Sequence, residues 1–260
     1  MFPVRGHFST MQTAVYEFPL NEKVRNYLRV EQLFVRLQQG EQAQQGWQYI
    51  SFFEAMFTLL DLLERLDIRN DILKDIDSHE KNLVQWSQHP QIDTEALQSA
   101  LQRIIRLRER IKQAKKLGSE LKDDRFLASI RQRFSIPGGT CSFDLPNLHY
   151  WFNQRSEIVQ NNIQGWLSEL SLVKESIQVA LSFLRERGRF TQVTAQKGFY
   201  QGVADDRIEL IRIISENNSG FYPVLSGNKY RYAIRFMWFD AEPGKPPAVE
   251  QDVSFEMASC

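Results

Sequence analysis

The segment from Trp47 to Leu66 constrains the fold more than any other part of this chain, because it is apolar on nearly every side. Ile50, Phe52, Phe53, Met56, Phe57, Leu59, Leu60, Leu62 and Leu63 leave too little polar surface for a solvent-facing stripe. A helix built from them belongs in the middle of a bundle, so the surrounding sequence must supply other helices to cover it. It does. Asn21 reads as an N-cap with Glu22 in the first turn. From there to Gln38, Val24, Tyr27, Leu28, Phe34 and Leu37 recur at helical spacing, with Arg25, Arg29 and Arg36 on the opposite stripe. Beyond Leu66 come a charged helix over 69–88, stopped by His89-Pro90, and another opening at Asp93 or Thr94 and running to Leu117. A short helix follows over 123–134.

The texture then changes. Ser135-Ile-Pro-Gly-Gly-Thr-Cys-Ser-Phe-Asp-Leu-Pro146 reads as a turn and an extended piece over 140–145. Residues 147–187 read as one long helix, kinked near Gly165. After Gly188 strands dominate: 190–201, 208–215, 221–225, 230–239 and 252–258, each bounded by Gly, Asn or Pro. Ser226-Gly-Asn-Lys229 is a hairpin turn. The prediction is an α+β fold, a helical bundle with a mostly antiparallel β domain. The strand-like piece ending at Phe18-Pro19 and the piece at 140–145 must pair somewhere, which predicts a β domain discontinuous in sequence. The expected organisation is a first β-domain strand at 11–19 and a helical domain at 20–134. A turn, strand and long helix at 135–187 link it to a β domain at 188–260.

Composition narrows the function. The chain has 260 residues, 42% of them hydrophobic, enough for one large or two modest domains. Lys plus Arg number 32 and Asp plus Glu number 32, a zero net charge that argues against wholesale nucleic-acid coating. Two cysteines, Cys141 and Cys260, make no disulfide framework and fit a reducing compartment. The first residues lack the apolar run of a secretory leader, and no stretch approaches the ~18 uncharged apolar residues of a membrane span. A cytoplasmic protein that neither crosses nor binds a membrane is expected, with Met11 an alternative start.

Enzyme signatures are sparse. His7, His79, His89 and His149 form no metal-ligand spacing, and no phosphate-cradling loop or nucleophile elbow occurs. Cys141, beside Gly138-Gly139 and eight residues before His149, is the best nucleophile candidate. Its simpler reading, a small core cysteine after a tight turn, is preferred. No catalytic residue, metal or cofactor is therefore assigned. Two basic features stand out instead. Between Leu101 and Lys116 seven basic residues face one acid, Glu109, a net of +6 that leaves −6 for the rest of the chain. Such segregation suits an acidic partner, nucleic acid being the alternative class. The sharper feature is the strand over 230–239. Alternation puts Tyr230, Tyr232, Ile234, Phe236 and Trp238 on one face and Arg231, Ala233, Arg235, Met237 and Phe239 on the other. Two arginines ~13 Å apart among Met and aromatic neighbours suit a short acidic peptide.

Several of these segments together resemble a known family. Pro19-Leu-Asn-Glu-Lys-Val-Arg-Asn-Tyr-Leu-Arg-Val-Glu31, the Arg131-to-Pro146 run, Asn-Leu-His149, Gly198-Phe-Tyr-Gln201, Ser226-Gly-Asn-Lys229 and Arg231-Tyr-Ala-Ile-Arg-Phe-Met237 resemble the ZapD family of Z-ring-associated bacterial division proteins. The likeness runs from Met11 to the C-terminus, and Thr140 stands where relatives often carry another cysteine. The resemblance implies a homodimer that binds the C-terminal tail of the tubulin-like protein FtsZ and bundles its filaments at midcell. Carried over position by position, it implies tail contacts from Arg29, Arg65, Arg125, His149, Arg231 and Arg235. Arg69 and Lys229 are added as basic neighbours on physical grounds. The helix at 101–116 is left as a second contact or an exposed face.

Overall fold

The computed structural model describes residues 13–43, 45–86, 94–114, 117–205, 207–216, 219–239, 243–244 and 247–260. The chain divides into a helical unit, residues 26–181, and a β unit that joins residues up to 25 with 182–260.

Helix α1 (Glu22–Glu41) starts as the cap residue predicts, with Asn21 Oδ1 accepting from the Val24 N–H at 2.9 Å. Helix α2 (Gly46–Arg65) is the central rod: Phe52, Phe53, Ala55, Met56 and Leu59 are fully buried. Gly40 lets it come close, because a Cβ there would collide with the Phe52 ring. Phe53 is the hub of an aromatic cluster, its ring centroid 5.3 Å from Trp151, 5.7 Å from Trp166, and 6.0 Å from both Phe126 and Phe134. Each such pair adds about 0.5–1.5 kcal/mol beyond area burial.

Helices α3 (Ile68–Trp86) and α4 (Thr94–Gln113) pack together, burying Ile68, Ile72 and Ile76 on one side and Leu97, Ile104, Leu107 and Ile111 on the other. A 3-10 turn at Glu120–Lys122 precedes α5 (Arg125–Phe134). Asp124 caps α5, Oδ1 accepting from the Leu127 N–H at 2.8 Å while Oδ2 accepts from Trp166 Nε1 at 2.9 Å.

Two expectations about the middle of the chain are corrected. The single helix over 147–187 is three: α6 (Pro146–Phe152), α7 (Ser156–Glu169) and α8 (Ser171–Arg187). Asn153 ends α6, because its side-chain amide takes the His149 carbonyl at 2.8 Å while its backbone N–H drops back to Tyr150. Gly165 lies inside α7 and marks no break. Residues 140–145 form turns, not a strand, within the helical unit. The Asp144 and Leu145 N–H groups both donate to the Cys141 carbonyl, at 3.1 and 3.0 Å, so these amides have partners without a sheet.

The β unit holds two antiparallel sheets. One has the order β1 (Thr13–Pro19), β4 (Leu210–Glu216), β7 (Val253–Ser259), β2 (Thr191–Ala195). The other has the order β3 (Phe199–Val203), β6 (Arg231–Trp238), β5 (Phe221–Gly227). β1 pairs with β4 from Thr13↔Glu216 to Pro19↔Leu210, so the β unit is discontinuous in sequence, as expected. Pro19 sits on an edge strand, where a missing donor costs least. The strand expected over 190–201 is split by a two-residue turn. Lys197 and Gly198 both take positive φ, 48° and 68°, the geometry of a tight hairpin, and β2 and β3 go to different sheets. The sheets meet through buried side chains, Ile211, Ile213 and Phe255 against Tyr232, Ile234 and Phe236, with Phe236 and Phe255 edge-to-face at 5.1 Å. Glu17 ties this unit together, accepting from Arg185 Nε at 2.8 Å and Arg212 Nε at 2.9 Å. Among the described residues no helix is long and apolar enough to cross a membrane.

Candidate functional site

Strand β6 alternates as its sequence requires. Tyr232, Ile234 and Phe236 are buried between the sheets, while Arg231 and Arg235 are exposed on the outer face. Register extends that face across three strands. Phe199 on β3 and Val224 on β5 flank Arg235, Gln201 and Ser226 flank Ala233, and Val203 flanks Arg231. Tyr222 lies beside Met237. The outer surface is therefore an apolar platform of Phe199, Tyr222, Val224 and Met237 that carries two guanidinium groups.

Arg235 is stacked over the Phe199 ring, 5.2 Å from its centroid, an arrangement that holds the guanidinium in place without neutralising it. Neither Arg231 nor Arg235 forms an ion pair with an acid among the described residues. Lys229, at the β5–β6 turn, lies over the Tyr230 ring at 4.7 Å. The turn is pinned by Asn228, whose Oδ1 accepts from the Tyr230 and Arg231 N–H groups at 2.9 and 3.2 Å. Beside it a depression of about 230 Å³ runs from Ser226–Asn228 to Gln201, Arg231 and Ala233.

The remaining candidate residues belong to the helical unit. Arg65 and Arg69 line one depression of about 360 Å³ between the end of α2 and the start of α3, with Leu117 on its wall. Their situations differ. Arg65 is exposed, whereas Arg69 donates from Nε to the Ile111 carbonyl at 3.0 Å and from Nη2 to the Lys112 carbonyl at 2.7 Å. Arg69 thus closes off carbonyls at the C-terminal end of α4. Arg29 is exposed on α1 and makes a long hydrogen bond to Asn26, at 3.5 Å. Arg125 is exposed at the first turn of α5, and His149 is exposed on α6. On α5 itself Arg131 is occupied: it pairs with Asp61 and with Glu64 at 3.1 Å. Hydrogen bonding from Lys122, then from Arg131, holds the Glu64 carboxyl below its ordinary range despite partial burial.

The basic stretch at 101–116 reads differently in three dimensions. Arg108 pairs with Glu80 and with Asp77 at 3.6 Å on α3, and Arg103 and Arg110 reach Glu175 on α8 at 3.8 and 2.6 Å. Lys112 meets Glu109 at 3.7 Å, and Arg106 alone of the described basic residues here meets no acid. Lys115 and Lys116 lie outside the described residues. Cys141 is exposed on its turn, not packed in a core as its simpler reading had it, whereas Cys260 is buried and its thiol is pushed up by that burial. Among the described residues no group of His, Cys, Asp or Glu is placed to hold a metal ion.

Sequence reasoning found both β6 arginines but missed the residues that make their surroundings. Phe199 and Gln201 went unassigned because 190–201 read as a single strand, which leaves the facing of β3 undetermined, and Tyr222 and Val224 because the hairpin to 230–239 was not carried through to its register. The Gln196-Lys-Gly198 turn was the available signal.

Comparison with known proteins agrees on one family. The ZapD family model, described as a cell division protein, matches residues 28–235. Cell division protein ZapD of Pectobacterium carotovorum is 39% identical over 248 residues, covering 95% of this chain and 98% of its own. ZapD of Photobacterium profundum and of Vibrio parahaemolyticus are each 38% identical over 250 residues, covering 96% of this chain and 100% of theirs. A match spanning both units at this identity leaves one conclusion: the chain belongs to the ZapD family of cell division proteins.

Proposed function

We propose that this chain is a non-enzymatic division factor that binds the C-terminal tail of FtsZ and, as a homodimer, cross-links FtsZ filaments at midcell in the cytoplasm. The observation that carries the reading is the outer face of β3-β6-β5, where Arg231 and Arg235 stand without acidic partners on an apolar platform. A short peptide with acidic and apolar residues suits such a face, because guanidinium forks take carboxylates while Phe199, Val224 and Met237 take aliphatic groups. Lys229 at the adjoining turn adds positive charge. In the helical unit, Arg29, Arg65, Arg69, Arg125 and His149 are proposed as further tail-binding residues, with Arg65 the more available of the two in its depression.

One tail held by a few charge-assisted hydrogen bonds and a shallow apolar surface binds weakly, with a Kd on the order of micromolar. A dimer facing a polymer that displays many tails gains avidity through effective concentration, and cross-linking follows from geometry without nucleotide or metal. A nucleic-acid reading of helix α4 draws less support, since Arg103, Arg108 and Arg110 already have acidic neighbours.

The test is fluorescence anisotropy of a labelled FtsZ tail peptide at low and high salt, with Arg235→Glu alongside. Saturable binding that weakens with salt and is lost in the variant, whose melting curve is unchanged, is the expected result. Equal binding by Arg235→Glu, or none by the parent protein, refutes the reading.

A further inference from the structure

The outer face of β6 carries a spacing as well as a charge. Arg231, Ala233 and Arg235 point the same way at two-residue steps, so the arginines are ~13 Å apart along the strand. Between them Ala233, flanked by Gln201 and Ser226, is the lowest point of the ridge and floors the depression of about 230 Å³. Neither β3 nor β5 contributes an arginine to this face. A peptide crossing the strands at ~4.8 Å steps therefore meets one guanidinium at most, and only a peptide lying along β6 meets both.

Resting on the tail-binding reading, we propose that this surface reads a register: an extended acidic peptide with carboxylates at positions i and i+4. Its i+2 side chain is seated over Ala233, and an apolar side chain at i+6 lies on Met237 and Tyr222. An extended chain repeats its facing residues every second position, so it matches β6 step for step while its intervening residues face water. Arg235 is already held over Phe199 before the peptide arrives, which lowers the ordering cost of pairing with the second carboxylate. Arg231 lines the notch beside Ala233, so the first carboxylate and the i+2 side chain are bound side by side.

The test uses fluorescently labelled nine-residue peptides of identical composition and net charge. Each has two Asp residues at i,i+1, i,i+2 or i,i+4, and all are titrated into the intact protein beside the FtsZ tail peptide. Nonspecific attraction is the same for all three. The i,i+4 peptide is expected to bind about tenfold more tightly, the ratio for one additional charge-assisted hydrogen bond. Arg231→Ala should erase that preference. Ala233→Leu, which fills the notch from the solvent side, should weaken the i,i+4 peptide about tenfold with an unchanged melting curve. Equal affinities across the three spacings, or undiminished binding by Ala233→Leu, overturn the register while tail binding persists. Failure of the tail peptide itself overturns both proposals.

Discussion

Asp124 joins two elements through one carboxylate, and replacing it gives a prediction whose size follows from its two hydrogen bonds. Oδ1 caps α5 through the Leu127 N–H, and Oδ2 receives the Trp166 indole N–H. The Trp166 ring is in turn stacked on Phe126 at 5.8 Å with a 4° tilt between planes. Asp124→Ala removes the cap, which costs about 1 kcal/mol. It also leaves a part-buried indole donor without a partner, which costs about 1–3 kcal/mol. The expected total is about 3 kcal/mol. Asp124→Asn keeps one acceptor oxygen and replaces the other with an NH2 donor, so only one of the two bonds survives and the cost should be about 1–3 kcal/mol. Four of the five tryptophans, Trp47, Trp86, Trp151 and Trp166, belong to the helical unit, so tryptophan emission during urea unfolding reports mainly on that unit. With a slope of about 2 kcal/mol per molar, Asp124→Ala lowers the midpoint by roughly 1.5 M. In a Trp166→Phe background the same change should cost only the cap, leaving a coupling of about 2 kcal/mol. The same cost in both backgrounds would falsify the shared-carboxylate account.

Two further outcomes test the assignments. Burial alone would push the Glu209 carboxyl up, but bonds from Lys23 at 2.8 Å and Asn21 at 2.9 Å, with Arg187 nearby, hold it below its ordinary range. A depressed carboxylate stabilises above its unfolded pKa and loses that contribution as pH falls through its folded value. Melting temperature should therefore drop more steeply in acid for the parent than for Glu209→Gln; parallel slopes would argue against it. Arg65→Ala should leave stability within about 0.5 kcal/mol, whereas Arg69→Ala, which strips two α4 carbonyls of their donor, should cost about 1–3 kcal/mol. A silent Arg69→Ala in thermal denaturation would return Arg69 to the class of ligand-only residues.

The helices were legible wherever apolar spacing and a cap coincided. Asn21 opens α1 as read, and α2 is buried as its all-round apolar surface demands. The misreadings share a cause. Nothing apolar distinguishes Asn153 from a helical position; the break comes with a local bond, the side-chain amide donating to the carbonyl four residues back, which apolar periodicity does not register. The piece at 140–145 has strand-like residues, but the Asp144 and Leu145 amides turn back to the Cys141 carbonyl, so the segment closes on itself as turns. The hairpin at Lys197–Gly198 hides within a run of strand formers, and one unrecognised positive-φ pair concealed the identity of a whole strand.

The two basic features of the sequence show why charge counts are a poor guide to sites. Helix α4 has the greatest local excess of charge, yet three of its four arginines, Arg103, Arg108 and Arg110, lie within reach of Asp77, Glu80 and Glu175, acids 28–72 positions away in sequence that no local window can see. Strand β6 carries only two arginines, but alternation fixes their direction before any fold is known. Tyr232, Ile234 and Phe236 must go inward to fill the space between sheets, so Arg231 and Arg235 must go out. Neighbours on β3 and β5 are then dictated by register, and none of them on this face is acidic. An exposed arginine that the fold leaves unpaired keeps its attraction for a carboxylate from outside, whereas one already paired must first lose a partner. The weaker signal in sequence is therefore the better candidate for binding, because what matters is not how many charges a segment holds but how many the fold leaves unanswered.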